Sequence, residues 1–166
     1  MLLSRQIIII RPILLLIGCG LAACGFQLRT APEIPIEMSR TYIATDNKYS
    51  QFYRKLRGEL RKAGVQLVDL PSESSAVFSI PADDTNRRVL SVSARNVPRE
   101  YEVYYTIHYS VESGKNTIMM PQSLTLTRDY TYDETLVLGK AREEELLREA
   151  IVDDLVRIVL RQLSSL

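Results

Sequence analysis

The alternation of apolar and polar residues is clearest between Tyr101 and Val111, where it continues for eleven residues. A period of two is typical of a strand with one buried and one solvated face. We therefore predict a strand over 101–111. Weaker runs of the same kind predict strands over 41–45, 65–70, 76–80, 88–95 and 117–132. Between two of these runs, residues 81–86 begin with a proline and suggest a turn or a bulge.

Two other segments place apolar residues at steps of three and four, which predicts amphipathic helices. The first helix follows the turn or N-cap residues Asp46 and Asn47, and Gly64 is well placed to end it. Its predicted apolar stripe consists of Tyr49, Phe52, Tyr53, Leu56, Leu60 and Ala63. The second helix runs from about 141 to 163, with acids in its first turns and arginines near its end, as the helix dipole favours. One edge of its predicted apolar stripe is traced by Leu147, Ile151, Leu155, Ile158 and Gln162, and the stripe is widened by Leu146, Ala150, Val159 and Leu163.

Two helices with one apolar stripe each need one sheet face to cover. The predicted fold is therefore α+β, a two-layer sandwich. Two helices pack on one face of a mixed, mostly antiparallel four- to five-stranded sheet. The polar outer faces of the long strands predict that the second face of the sheet is wet or meets a partner.

The N-terminus carries the most specific signal. Residues 13–23 are uncharged and apolar, a run about half as long as the ~20 residues that cross a bilayer, and Arg5 and Arg11 precede it. This pattern predicts a signal peptide. The sequence Leu21-Ala22-Ala23-Cys24 resembles the lipobox of bacterial lipoproteins, in which the chain is cut before a cysteine that takes a diacylglycerol.

We therefore predict that residues 1–23 are removed and that Cys24 is lipidated. Cys19 ends a second, looser lipobox and is the alternative. Residues 24–40 are expected to form the lipidated N-terminus and a tether, and residues 41–166 a single domain. Gly25 stands where an aspartate would favour inner-membrane retention, so the pattern resembles an outer-membrane address.

Composition excludes several kinds of chemistry. The 166 residues carry 21 Lys and Arg against 20 Asp and Glu, a balance that argues against a general nucleic-acid binder. One histidine and two cysteines exclude a His-rich or a Cys₄ zinc site. His108 lies in mid-strand without a nucleophile elbow, and the Asp83-Asp84 pair is expected to be loop solvation. We therefore predict no enzyme activity, no metal and no cofactor other than the covalent lipid on Cys24.

Two groups of residues remain as candidates for binding. Tyr104 lies on the polar face of its strand, which favours a partner interface over core packing. Basic residues also cluster near the strand ends: one strand connection is bracketed by Arg87, Arg88, Arg95 and Arg99, and the last strand is flanked by Arg128 and Lys140. Arginine forks match phosphate well, so these residues form either a local anion site or a set of solvated charges.

The chain resembles the LPS-assembly lipoprotein family LptE. The resemblance is carried by Cys24-Gly25-Phe26-Gln27-Leu28-Arg29, by the early helix ending in Gly64-Val65, by Glu100-Tyr101 before a long strand, and by Arg128-Asp129-Tyr130-Thr131-Tyr132-Asp133. It implies an outer-membrane lipoprotein on the periplasmic side that sits in the lumen of the LptD β-barrel, helps that barrel to assemble and contacts lipopolysaccharide. By matching position it assigns lipopolysaccharide binding to Arg95 and Lys140, with Arg99 and Arg128 as weaker additions.

A rival function is a periplasmic lipid carrier or chaperone lipoprotein of the outer membrane. Such a protein needs a deep apolar cavity, which a two-layer sandwich of this size seldom leaves. A packed interior would count against it.

Overall fold

The computed structural model describes residues 33–166. The signal peptide, Cys19 and Cys24 lie outside the described residues. The described residues belong to one compact unit.

A five-stranded mixed sheet organises the fold. Its strands are β1 (Arg40–Thr45), β2 (Gln66–Val68), β3 (Ala76–Val92), β4 (Pro98–Ser113) and β5 (Asn116–Thr131). The order across the sheet is β2-β1-β3-β4-β5. β1 pairs in parallel with β2 and β3, whereas β3–β4 and β4–β5 are long antiparallel pairs. The predicted α+β fold with a mixed, mostly antiparallel sheet is confirmed.

β3 is one continuous strand where the sequence predicts two runs. The register with β4 shifts between Ser79 and Ala82, so the segment 81–86 holds a bulge and no turn. Pro81 has no N–H to donate to the ladder, and a bulge accommodates that loss while the strand continues. The turn comes later, at Ser93–Val97, where Asn96 has a φ of 60° and the Ser93 N–H donates to the Val97 carbonyl over 2.7 Å.

Helix α1 spans Gln51–Lys62. Ser50 is the N-cap of α1, because its hydroxyl accepts the Tyr53 N–H over 3.0 Å. Of the two predicted roles for Asp46 and Asn47, turn and N-cap, the structure shows the turn, in which the Asn47 side chain accepts the Tyr49 N–H over 3.1 Å. Tyr49 precedes the helix and is exposed, so it does not belong to the apolar stripe. Gly64 follows the helix with a φ of 87°, and this left-handed residue ends it as predicted.

Helix α2 spans Val137–Leu163 and begins four residues before the predicted start. A 3₁₀ turn at Glu134–Leu136 leads into it, and the Asp133 side chain caps that turn by accepting the Thr135 N–H over 2.9 Å. The apolar residues of its first turn are exposed, and Leu138 is 89% exposed. Because this turn adds no residue to a core-facing stripe, the apolar pattern does not reveal the true start of the helix. The buried stripe begins only at Ile151, and Leu146, expected within it, is exposed.

Both helices pack against the same face of the sheet. The predicted inward residues of β4 from Val103 to Val111 are buried there, and Tyr101 is partly buried. The rings of Phe78 and Tyr109 stack beneath the helices with centroids 5.9 Å apart. Lys55 of α1 joins Asp153 of α2 over 2.8 Å. In the part of the chain that the structure describes, no helix is both long enough and apolar enough to span a membrane.

Candidate functional site

The β3–β4 hairpin extends past the end of β5. β5 ends at Thr131, opposite Glu100, while β3 and β4 continue to the pair Val92 and Pro98. Arg95 lies in the hairpin turn and Arg99 at the start of β4. The chain leaves β5 beside this hairpin, since the Tyr132 N–H donates to the Arg99 carbonyl over 2.7 Å. It then enters α2, whose first turn contains Lys140. The structure thus brings Arg95, Arg99 and Lys140 to one end of the sheet.

The three basic side chains differ in their exposure and in their ion pairs. Arg95 and Arg99 are exposed, and neither forms an ion pair within residues 33–166. The Lys140 ammonium lies 2.7 Å from Glu143, and its side chain is 18% exposed. An anion that binds Lys140 therefore competes with Glu143 for its ammonium group.

Exposed aliphatic side chains surround the same end. Val89, Leu90 and Val92 lie on the hairpin just before Arg95, and Leu136, Val137 and Leu138 lie just before Lys140. We call this surface the amphiphilic end; it consists of these six residues with Arg95, Arg99 and Lys140. The sequence pattern predicts the basic residues of this surface but not its aliphatic residues. The sign of these residues in the sequence is the apolar run at 136–138, which does not belong to the core-facing stripe of the helix.

Arg128 lies elsewhere. It faces the helix side of β5, where its guanidinium lies 2.6 Å from Asp154 of α2 and donates to the Thr127 carbonyl over 2.9 Å. Asp154 also accepts from Arg157 over 2.6 Å. Since Asp154 follows Lys140 by 14 residues, this cluster lies about 21 Å further along the helix. The structure therefore separates Arg128 from the amphiphilic end and gives it a partner in the fold.

A second polar cluster ties α2 to the sheet and escaped the sequence analysis. Glu144 accepts hydrogen bonds from Arg87 over 2.7 Å, from Tyr130 over 2.8 Å and from Arg148. The guanidinium of Arg87 also lies 4.8 Å from the ring centre of Tyr101. Burial alone would raise the pKa of the Glu144 carboxyl. The three hydrogen bonds outweigh burial and hold that pKa below its ordinary value.

Asp83 and Asp84 face opposite sides of the sheet. Asp83 accepts hydrogen bonds from the hydroxyls of Ser50 and Tyr105, so it joins the cap of α1 to the core. Burial, together with the hydrogen bond to Asp83, raises the pKa of Tyr105 well above its ordinary value. Asp84 is exposed on the other face. The expectation of loop solvation is wrong for Asp83, because these residues lie inside β3.

The sheet face away from the helices is polar. We call it the open face; it consists of Asp84, Asn86, Arg88, Glu100, Glu102, Tyr104, Thr106, His108, Ser110, Glu112, Ser123, Thr125, Thr127, Asp129 and Thr131, which alternate with the buried positions of β3, β4 and β5. Tyr104 lies there as predicted, with the Arg88 guanidinium 6.0 Å from its ring centre. Arg88 also pairs with Glu102.

Two further kinds of chemistry concern the described residues 33–166, catalysis at His108 and the binding of a metal ion. His108 is exposed on the open face, opposite Ala82 and Ser123, where no nucleophile and acid converge on it. Within the same residues, no three His, Cys, Asp or Glu side chains come together as metal ligands.

Comparison with known proteins agrees with the resemblance in the sequence. Residues 38–163 match the family LptE, described as lipopolysaccharide-assembly. The LPS-assembly lipoprotein LptE of Yersinia enterocolitica serotype O:8 / biotype 1B is 26% identical over 157 residues, which cover 92% of this chain and 75% of that protein. The protein of the same name from Pectobacterium atrosepticum is 22% identical over 146 residues, covering 87% of this chain and 79% of the relative.

Solved structures show the same fold. A lipoprotein B from Nitrosomonas europaea superposes with a TM-score of 0.71 at 28% identity, covering 85% of this chain and 91% of that one. The rare lipoprotein B from Shewanella oneidensis gives a TM-score of 0.65 at 27% identity, covering 76% and 94%. With most of its length matched by the family and its fold shared by these lipoproteins, the chain belongs to the LptE family of lipopolysaccharide-assembly lipoproteins.

Proposed function

We propose that this chain is a non-enzymatic, lipid-anchored lipoprotein of the outer membrane, on its periplasmic side. In this proposal it sits in the lumen of an LptD-like β-barrel, helps that barrel to assemble and contacts lipopolysaccharide as it enters the outer leaflet. Membership of the lipopolysaccharide-assembly family supports the general role. The finer role rests on the surfaces described above.

The proposal that lipopolysaccharide is the ligand rests on the amphiphilic end. Lipid A joins phosphate groups to acyl chains, so a surface that contacts it needs cations beside apolar side chains. Arg95 and Arg99 supply exposed guanidinium groups, which match phosphate oxygens in pairs. The exposed aliphatic residues before Arg95 and Lys140 supply apolar contact. We propose Arg95, Arg99 and Lys140 as the phosphate contacts and leave Arg128 as a weaker addition, since it is paired with Asp154.

The rival lipid-carrier function receives less support. A groove of about 410 Å³ lies between α1 and α2, and Val152 is the one apolar residue among the six that line it; the others are Gln51, Arg54, Lys55, Glu149 and Asp153. A carrier for acyl chains needs a mostly apolar cavity. Beneath the helices, the described sheet face is filled by packed side chains such as Phe52, Leu56 and Leu155, each fully buried.

The barrel partner is tested by isolating the tagged, lipidated chain from native membranes in mild detergent. We expect a large β-barrel protein to be recovered with it in equal amount. A chain that is recovered alone, while other outer-membrane complexes survive the same extraction, would rule out the plug.

The anchor is tested by Cys24→Ala. We expect loss of palmitate labelling, with the protein either soluble in the periplasm or retained as the uncleaved precursor, because alanine offers no thiol for the lipid. Cys19→Ala is the matched control and should leave labelling unchanged. Labelling that persists in Cys24→Ala and disappears in Cys19→Ala would move the anchor to Cys19.

A further inference from the structure

The open face concentrates negative charge. On β3, β4 and β5 it carries five carboxylates, on Asp84, Glu100, Glu102, Glu112 and Asp129, against the guanidinium of Arg88, which gives these three strands a net charge of −4 with His108 neutral. The same side of β1 adds one exposed cation, Arg40. Residues 33–166 as a whole contain 18 basic and 20 acidic side chains. The remaining side chains of these residues are therefore positive on balance, and the acidic charge is concentrated on the open face.

The face is also rich in hydrogen-bonding groups. Thr106 and Thr125 share a hydrogen bond of 2.8 Å across β4 and β5, and Asn86, Tyr104 and Thr127 form the next row. Tyr104 presents a ring with a polar tip near the middle of this surface, the kind of side chain that is enriched at protein interfaces. None of the helices within residues 33–166 covers the face.

Its dimensions suit a protein partner. About 13 paired positions on three strands give a surface about 40 Å long and about 14 Å wide, or about 600 Å². A standard protein interface buries about 800 Å² on each partner. The open face alone therefore approaches the size of a specific interface.

The negative charge of the open face determines which partners can bind to it. Lipopolysaccharide phosphates and an anionic membrane would both be repelled, and a second copy docking through the same face would place like charges together. A complementary occupant has basic and hydrogen-bonding side chains on a polar surface. The inner wall of a large β-barrel is polar, so it can provide such groups.

We infer that the open face is the surface that docks on a basic patch of the barrel's inner wall, whereas the amphiphilic end stays directed toward the lipid ligand. This inference rests on the proposed function and adds an orientation to it. The chain would have one side for its protein partner and one end for lipopolysaccharide. Asp84 and Asp129, both exposed, and neither ion-paired within the described region, would meet the basic groups of the wall.

The test is recovery of the barrel with the variant Asp84→Lys/Asp129→Lys of the full lipidated chain. We expect the amount of barrel recovered per lipoprotein to fall at least tenfold, and to fall less in Asp84→Asn/Asp129→Asn. The matched control is Asp46→Lys/Glu73→Lys, which makes the same charge change at two exposed acids off this face and should leave recovery unchanged. Thermal melts followed by circular dichroism establish that all three variants fold.

Two outcomes would overturn the inference. One is undiminished recovery of the barrel with the folded lysine variant. The other is an equal loss with the control, which would mean that overall charge decides binding. Failure of the wild-type chain to recover a barrel would instead refute the proposed function, so the two failures are distinguishable.

Discussion

Changing both Arg95 and Lys140 to aspartate should weaken lipopolysaccharide binding by about a hundredfold. Each position would lose a charge-assisted hydrogen bond, taken at about 1.5 kcal/mol, and a loss of about 3 kcal/mol corresponds to about two decades in Kd. Binding of the purified lipidated chain to lipopolysaccharide, measured by titration at fixed ionic strength, gives the ratio directly.

The fold should survive this double change. Arg95 lies exposed in the hairpin turn, and the Lys140–Glu143 pair joins residues three apart near the surface, where such pairs contribute about 0–1 kcal/mol. Arg57→Asp/Arg61→Asp is the matched control. It makes the same charge change on α1, and Arg61 lies near the end of α1 that leads into β2, away from the hairpin turn.

The control should bind lipopolysaccharide within about twofold of wild type, since electrostatic effects at a distance are screened beyond about 10 Å at 0.1 M salt. Equal losses of lipopolysaccharide binding in both variants would rule out a local phosphate site.

The variant Arg128→Asp tests whether Arg128 belongs to this site. It should lower stability by leaving Asp154 opposite a like charge, while lipopolysaccharide binding changes little.

Replacing Glu144 by alanine should lower the free energy of unfolding by about 2–4 kcal/mol. The carboxylate accepts hydrogen bonds from Arg87, Tyr130 and Arg148, and its side chain is 14% exposed, so its removal leaves charged groups without their partner in a partly desolvated place. Glu145→Ala is the matched control. Among the residues that the structure describes, Glu145 pairs only with Arg142 on the exposed side of the helix, so its loss should cost less than about 1 kcal/mol.

The same cluster predicts a dependence on pH. The pKa of Glu144 is lower in the folded protein than in the unfolded chain, where a glutamate has a value of about 4.3. Its contribution to stability is therefore complete above that unfolded value and is lost as the pH falls through the folded pKa. Urea unfolding from pH 7 to pH 3 should show the wild type approaching Glu144→Ala in acid. A difference between the two that stays constant down to pH 3 would contradict this account.

The sequence predicts those features of the fold that depend only on local backbone geometry. The alternation over 101–111 places every buried residue of β4 on the correct face, because a half-buried strand has a period of two whatever its neighbours are. Gly64 ends α1 as expected, since few other residues adopt a positive φ. The lipobox is also local, and its prediction at Cys24 stands untested by the described residues.

The sequence predicts poorly where distant residues decide the outcome. Asp46, Asn47 and Ser50 are all good N-caps, and Ser50 is the one that also contacts Asp83, 33 residues away. Arg128 lies on an apolar face with no local sign of Asp154, and Arg87 meets Glu144 across 57 residues. The amphiphilic end likewise forms only when the hairpin and the start of α2 meet beside the end of β5.

The most direct test of the account is whether the amphiphilic end touches lipopolysaccharide in living cells. A photo-crosslinking amino acid in place of Leu90, which is 46% exposed on the hairpin, should give an adduct detected by lipopolysaccharide antibody after irradiation. The same amino acid at Leu70 is the control, since Leu70 is 55% exposed but lies just past the end of β2, at the opposite edge of the sheet. The account predicts an adduct at Leu90 and none at Leu70. Absence of an adduct at Leu90, or equal adducts at both positions, would contradict it.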